Sequence, residues 1–217
     1  MTYPQAYIID LDYTLLDTSK LINAMEKSVK DYIPYFNFAT DYNKIRGDID
    51  HGYTYTVKLH AKLSAKRLNK NQKLIEKQLL KGVTQSEKFL YKNAIKLLEY
   101  IQNSEAQKIL LTRGQEEFQK VKIKNLKLKK YFDKILITQI AKEKVKLGYK
   151  ITDFLIFIND NLIEMSRLSA KYPKSKFILL NSKNNPKIKN FIYCKNLSEV
   201  IDQLKKLNNS INNIKSL

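Results

Sequence analysis

The chain has 217 residues, 43% of them hydrophobic, with a single cysteine and a formal net charge of +19. That composition suffices for a folded core, excludes an intrachain disulfide framework, and contains no apolar run near the ~20 residues of a membrane span. The charge is almost all lysine spread along the chain, with arginine only at Arg46, Arg67, Arg113 and Arg167.

The chain begins to specify chemistry at Ala6–Thr18, A-Y-I-I-D-L-D-Y-T-L-L-D-T. Tyr7, Ile8 and Ile9 suit a strand buried on both faces. The run ends in Asp10 and Asp12, which in an extended chain project the same way, about 6.5–7 Å apart at Cα. Two carboxylates at ~4 Å and an effective dielectric near 20 repel by about 4 kcal/mol. A shared proton or a bound cation must offset that, and an oxygen-lined site suits Mg²⁺. The plainer alternative is a strand exit with solvated acids.

Thr18 to Ile33 has the spacing of an amphipathic helix, capped by Asp17 or Thr18 and ended by Pro34. Residues 37–50 read as a loop with a short helix. Tyr53–Leu68 and Asn71–Leu80 read as two further helices, with Gly82 as a stop. Ser86–Gln102 reads as one more. The pattern then becomes short apolar strands alternating with helices: Lys108–Thr112, a helix from Gln115 to about Leu128, Lys134–Thr138, Asp153–Asp160, a helix from Leu162 to Ala170, Lys176–Leu180 and Phe191–Cys194. Val200–Leu207 closes as a helix, and the end from Asn208 is expected to fray. Such alternation predicts an α/β fold with a Rossmann-like parallel sheet. Helices inserted after the first strand interrupt it. The expected division is residues 1–18 plus 89–217 as core and 19–88 as an all-helical insertion.

Ligands of open parallel sheets bind beyond the carboxyl ends of the strands. Three strands end there in residues suited to phosphate and metal: D-L-D-Y-T, L-L-T-R-G at Thr112 and Arg113, and F-I-N-D-N-L-I-E at Asp160 and Glu164. Thr112, Asn159 and Asp160 could equally cap the helices that follow. Together these stretches resemble the motifs of the haloacid dehalogenase (HAD) superfamily, in its phosphatase form. The resemblance implies Asp10 as nucleophile and Asp12 as general acid/base. It implies Mg²⁺ held by Asp10, the Asp12 carbonyl and Asp160, and Thr112 as a phosphoryl contact. It also implies a lysine ahead of the fourth strand, which Lys142 fits better than Lys144. Asn159 and Glu164 depart from the family's usual G-D-x-x-x-D. The inserted helices would be a cap over the site, with Arg46 and His51 as substrate contacts alongside Arg113; Asp48, Tyr53 and Tyr55 are further cap candidates.

The expected activity is Mg²⁺-dependent hydrolysis of a small phosphorylated metabolite through an aspartyl-phosphate. A phosphomutase on the same core, or a non-catalytic phosphate- or nucleic-acid-binding protein, is the alternative. Arginine suits base and phosphate contacts better than lysine, so the basic charge is read mainly as solvated helix faces that draw anionic substrates inward. His51 and His60 lack partners at metal-ligand spacing, so zinc is not expected. Cys194 reads as an inert buried thiol in a reducing compartment, and with no signal-like segment the expected location is cytoplasmic with no membrane contact.

Overall fold

The computed structural model describes residues 3–47, 54–180 and 188–215, the last five as backbone. Six parallel strands form one sheet: β1 (Ala6–Ile9), β2 (Gln107–Arg113), β3 (Lys134–Thr138), β4 (Leu155–Asn159), β5 (Lys176–Leu180) and β6 (Phe191–Cys194), in the order β3-β2-β1-β4-β5-β6. The wholly buried β1 lies between β2 and β4, with Ile9 level with Leu110 on one side and Ile158 on the other. This is the doubly wound order in which chain direction reverses beside the first strand, opening a crevice at the carboxyl ends.

The side chains of β1 alternate between two cores. Tyr7 and Ile9 join the larger, which runs on into the inserted helices. Ala6 and Ile8 join the smaller, around Phe157 and Phe177, whose rings stack at 5.0 Å. The fold class expected from the sequence is the one observed. Among the described residues no helix is long and apolar enough to cross a membrane.

Four helices lie between β1 and β2: α1 (Thr18–Lys30), α2 (Phe38–Ile45), α3 (Val57–Leu68) and α4 (Gln72–Val83). Asp17 caps α1 by accepting from the Lys20 N–H, and Thr56 and Asn71 cap α3 and α4 in the same way. Helix α4 runs through Gly82, which was expected to end it. A Cβ on Gly82 would lie 2.4 Å from Met25 Cα, so the glycine lets α1 and α4 pack backbone to backbone. Behind them Phe36, Phe38 and Tyr55 enclose His60, which is wholly buried.

The helix expected over Ser86–Gln102 is broken. A 3-10 turn covers Ser86–Phe89, the chain extends at Leu90, and α5 (Ala94–Gln102) starts after Asn93 at φ +70°. The break is forced by pairing between the two connections to the inserted helices. Asp17 N–H donates to the Phe89 carbonyl at 2.8 Å, and Tyr91 N–H donates to that of Leu15 at 2.9 Å. The remaining helices are α6 (Glu116–Asn125), α7 (Leu162–Lys171) and α8 (Leu197–Lys215). Helix α8 continues past Asn208, contrary to expectation, and Asn208 donates to the Tyr100 hydroxyl at 3.0 Å. Cys194 is buried, and burial pushes its thiol up to about 12.

Candidate active site

Asp10 follows β1, with its N–H on the Ile158 carbonyl of β4 at 3.0 Å. The chain then turns tightly: Tyr13 takes φ +57°, and Leu15 and Leu16 both donate to the Leu11 carbonyl. The turn sends Leu11 into the core and leaves Asp10 and Asp12 facing one cavity of 390 Å³ at the carboxyl edge of the sheet. Asp160 and Lys142 line the same cavity.

Lys142 opens a short 3-10 turn between β3 and β4 and is 2% exposed. Its Nζ lies 2.8 Å from Asp10 Oδ1 and 2.8 Å from Glu164 Oε2. Burial alone would discharge it, but these two carboxylates outweigh that and hold it charged. Lys144, the other candidate, is exposed. Asp10 is pushed up to about 7, first by burial and then by Glu164 and Asp160, with Lys142 opposing. Asp160 is pushed up to about 6 by burial, and Thr14 Oγ1 donates to it at 3.2 Å.

Glu164 is fully engaged. Besides Lys142 it accepts from Arg113 Nη1 at 3.2 Å and from Asn159 Nδ2 at 3.1 Å, which holds it below the ordinary range despite burial. The departures Asn159 and Glu164 thus bond to each other. Asn161, not Asn159 or Asp160, caps α7 by accepting from the Glu164 N–H, and this leaves Asp160 free to face the cavity.

At the end of β2, Thr112 is wholly buried and its hydroxyl has no partner among the described residues. It is not in the cavity wall, whereas Arg113, Gly114 and Gln115 are. Gln115, rather than Thr112, caps the following helix. Gly114 adopts φ +153°, and a Cβ there would meet Gln119 Nε2 at 2.4 Å. That close approach lets Gln119 bridge the Arg113 carbonyl at 2.8 Å and Asp12 Oδ2 at 3.1 Å.

Asp12 is gripped from α6. Lys122 Nζ lies 2.6 Å from both its carboxylate oxygens, and Thr18 Oγ1 donates to it at 2.7 Å. Burial would raise Asp12, but Lys122 and these hydrogen bonds hold it below the usual carboxylate range. The two acids of the D-x-D are therefore shifted oppositely: burial favours the neutral form of Asp10, and Lys122 with its neighbours favours the carboxylate of Asp12. Lys122 and Gln119 were not singled out by the sequence. Their spacing on α6 is three residues, so they share a helix face, but in so lysine-rich a chain that signal is weak.

Residues of the insertion complete the cavity lining. Phe38, Tyr42 and Tyr55 join Phe118 of α6 in a chain of ring contacts, with Tyr55 5.1 Å from Tyr42 and 5.0 Å from Phe118. Arg46 stands exposed at the rim. Of the other expected contacts, His51, Asp48 and Tyr53 lie outside the described residues.

The donor set suits a hard cation. Asp10 and Asp160 are both oxygen ligands, both destabilised by burial, and Lys142 is shared with a third carboxylate, so a divalent ion would relieve their repulsion. Among the described residues no three His, Cys, Asp or Glu side chains group as a metal site. Asp10 and Asp160 offer two carboxylates on one cavity, and Mg²⁺ accepts so small a protein set.

No protein-family model matches the sequence, and no curated protein matches it. Solved structures do match in fold. A haloacid dehalogenase-like hydrolase of Burkholderia xenovorans LB400 superposes with a TM-score of 0.72 at 14% identity, covering 93% of this chain and 96% of that one. The chain has the HAD-like fold. The 2-haloacid dehalogenase of Pseudomonas syringae pv. Tomato DC3000 matches at TM-score 0.66 and 13% identity over 94% and 100% of the two chains. YfnB of Bacillus subtilis, crystallised with magnesium, matches at 0.63 and 14% over 94% and 99%. The HAD-like neighbours include dehalogenases, so the likeness carries the fold and leaves the activity and substrate to the site's own chemistry.

Proposed function

We propose that the protein is a Mg²⁺-dependent phosphatase of small phosphomonoesters. The observation that carries this is the pairing of Asp10 with Lys142 at 2.8 Å in the crevice beside β1, with Asp160 raising Asp10 from the same cavity. A carboxylate is a competent nucleophile toward phosphorus. A buried ammonium in contact with it would meet the equatorial oxygens of the transferred group. Residues 19–88 act as the cap and residues 1–18 plus 89–217 as the core.

In this reading Asp10 Oδ attacks phosphorus, the bond to the leaving oxygen breaks, and water later releases phosphate from the aspartyl-phosphate. Lys142 holds Asp10 and the phosphoryl oxygens, while Glu164, anchored by Arg113 and Asn159, fixes the position of Lys142. Asp10, Asp160 and the Asp12 carbonyl would hold Mg²⁺, which would offset the negative charge gathered there. Asp12, held as a carboxylate, is ready as the base that takes a proton from the attacking water. The leaving oxygen takes its proton in the first step from the protonated form of the Asp12 carboxyl, and the proton drawn from water in the second step restores it. For Thr112, the unpartnered hydroxyl supports a phosphoryl contact, since leaving it unmade costs about 1–3 kcal/mol. Its place outside the cavity wall weighs against one. Thr112→Val separates the two: a contact predicts a loss in kcat/KM of about tenfold or more, and a packing role predicts almost none.

One observation favours a second reading. The contacts of Asp12 with Lys122, Thr18 and Gln119 favour its carboxylate and so weigh against an acid role, whereas carbon–halogen cleavage needs no proton, because halide leaves as the anion. Release of phosphate from an aryl phosphate with Mg²⁺, set beside release of halide from a short haloacid, decides between them. The phosphatase reading predicts phosphate release, its loss in Asp10→Asn, and no halide. A phosphomutase would instead return the phosphoryl group to a second hydroxyl of a sugar phosphate.

A further inference from the structure

The phosphoryl end of the cavity is crowded with charge, but those charges are committed to each other. Lys142 is shared by Asp10 and Glu164, and Lys122, Gln119 and Thr18 all serve Asp12. The part of a substrate beyond its phosphoryl group meets a different surface. Its lining includes the apolar face of α1, with Leu21 and Met25, and the rings of Phe38, Tyr42, Tyr55 and Phe118. The Tyr55 hydroxyl is turned inward to His60 Nδ1 at 3.2 Å. Arg46, at the rim, is the one cationic side chain that the inserted helices bring to this wall among the described residues.

Among the described residues, Gln115 and Asn161 also line the cavity, but their side-chain oxygens already cap α6 and α7, so a polyol would lose water from each hydroxyl and regain few partners from them, at about 1–3 kcal/mol for each one left unpaired. A flat ring would suffer no such loss. It would gain edge or face contacts with the half-buried rings of Tyr42 and Phe118, which pack 5.1 and 5.0 Å from the buried Tyr55 ring behind them. We infer that the substrate is a phosphomonoester carrying an aromatic ring, seated between α1 and the Tyr42–Tyr55–Phe118 wall, and not a sugar or polyol phosphate. This rests on the phosphatase reading above and goes beyond it by naming the substrate class.

The test compares phosphate release from phenethyl phosphate with release from glycerol phosphate and a hexitol phosphate, using the full chain with Mg²⁺. All three leaving groups are primary alcohols, so a difference in kcat/KM reports recognition and not leaving-group chemistry. The expected result is a preference for phenethyl phosphate of about tenfold or more. Phe118→Ala, a truncation at a half-buried position, is expected to narrow that ratio severalfold. Equal or better turnover of the polyol phosphates by the unaltered protein overturns the inference and leaves the phosphatase reading standing. So does a ratio unmoved in a folded Phe118→Ala protein. Absence of release from all three, and from p-nitrophenyl phosphate as well, overturns the phosphatase reading and this inference with it.

Discussion

Asp12 and Lys122 form the ion pair that a reader of the D-x-D would not foresee. The lysine is nearly buried and the aspartate faces the cavity. Removing one member of a buried pair leaves an uncompensated charge, whereas removing both need not. Lys122→Met is therefore expected to cost about 2–4 kcal/mol in urea unfolding, somewhat under the range for a wholly buried pair. Asp12→Asn combined with Lys122→Met should recover most of that. Additive losses would show that the pair is not coupled. The motif order made Asp10, Asp160 and the candidate lysine legible, because strand-end acids are rare against an apolar background. Lys122 was illegible for the opposite reason: one lysine among many says nothing until the fold turns it inward. Arg113 is a similar case. An arginine in a loop is usually solvated, yet here it ends β2 and reaches Glu164, far away in sequence.

Among the elements, the inserted helices carry two features that can be measured directly. Gly82 sits against the α1 backbone, so Gly82→Ala must push α4 away from Met25; overpacking of this kind costs about 1–3 kcal/mol. His60 is held down to about 4, chiefly by burial among aromatic rings. The unfolded chain takes up its proton near 6.5, before the folded chain does, so stability is lost as pH falls from about 6.5 to about 4. The gap is worth on the order of 3 kcal/mol. His60→Gln should flatten that part of the pH profile in thermal melts, and a profile unchanged by the substitution would show that the histidine is not the cause. Helix ends were readable where a side chain caps them, as at Asp17 and Asn71. The break at Leu90–Asn93 was not, because it is set by hydrogen bonds to Leu15 and Asp17, more than seventy residues earlier. Gly82 misled for the same reason: a helix-stop residue was serving a contact between helices.

For the whole molecule, the gathering of negative groups above one sheet edge is expected to make stability depend on cations. A carboxyl raised in the fold is harder to ionise there than in the unfolded chain. Asp10 and Asp160 therefore subtract stability as pH rises from about 4 through about 6–7. Mg²⁺ should reverse this, adding about 2.7 kcal/mol at a hundredfold excess over its dissociation constant. The increment in melting temperature on adding Mg²⁺ is expected to be larger near pH 8 than near pH 5, where protons compete. It should be lost in Asp160→Asn, and an equal increment in that variant would place the ion elsewhere. The alternation of strands and helices made the sheet legible at this scale, down to the limits of β3, β5 and β6. The cavity's aromatic wall was not legible, since it joins α2, Tyr55 and α6 across a cleft that no local pattern encodes.

The central claim is that Asp10 itself receives the phosphoryl group. Rapid quench of the protein with an aryl phosphate and Mg²⁺, followed by peptide mass spectrometry, tests it most directly. The account predicts the added mass of one phosphoryl group on the peptide carrying Asp10, with neither label nor turnover in Asp10→Asn. A label on another residue, or sustained phosphate release by Asp10→Asn, would contradict it.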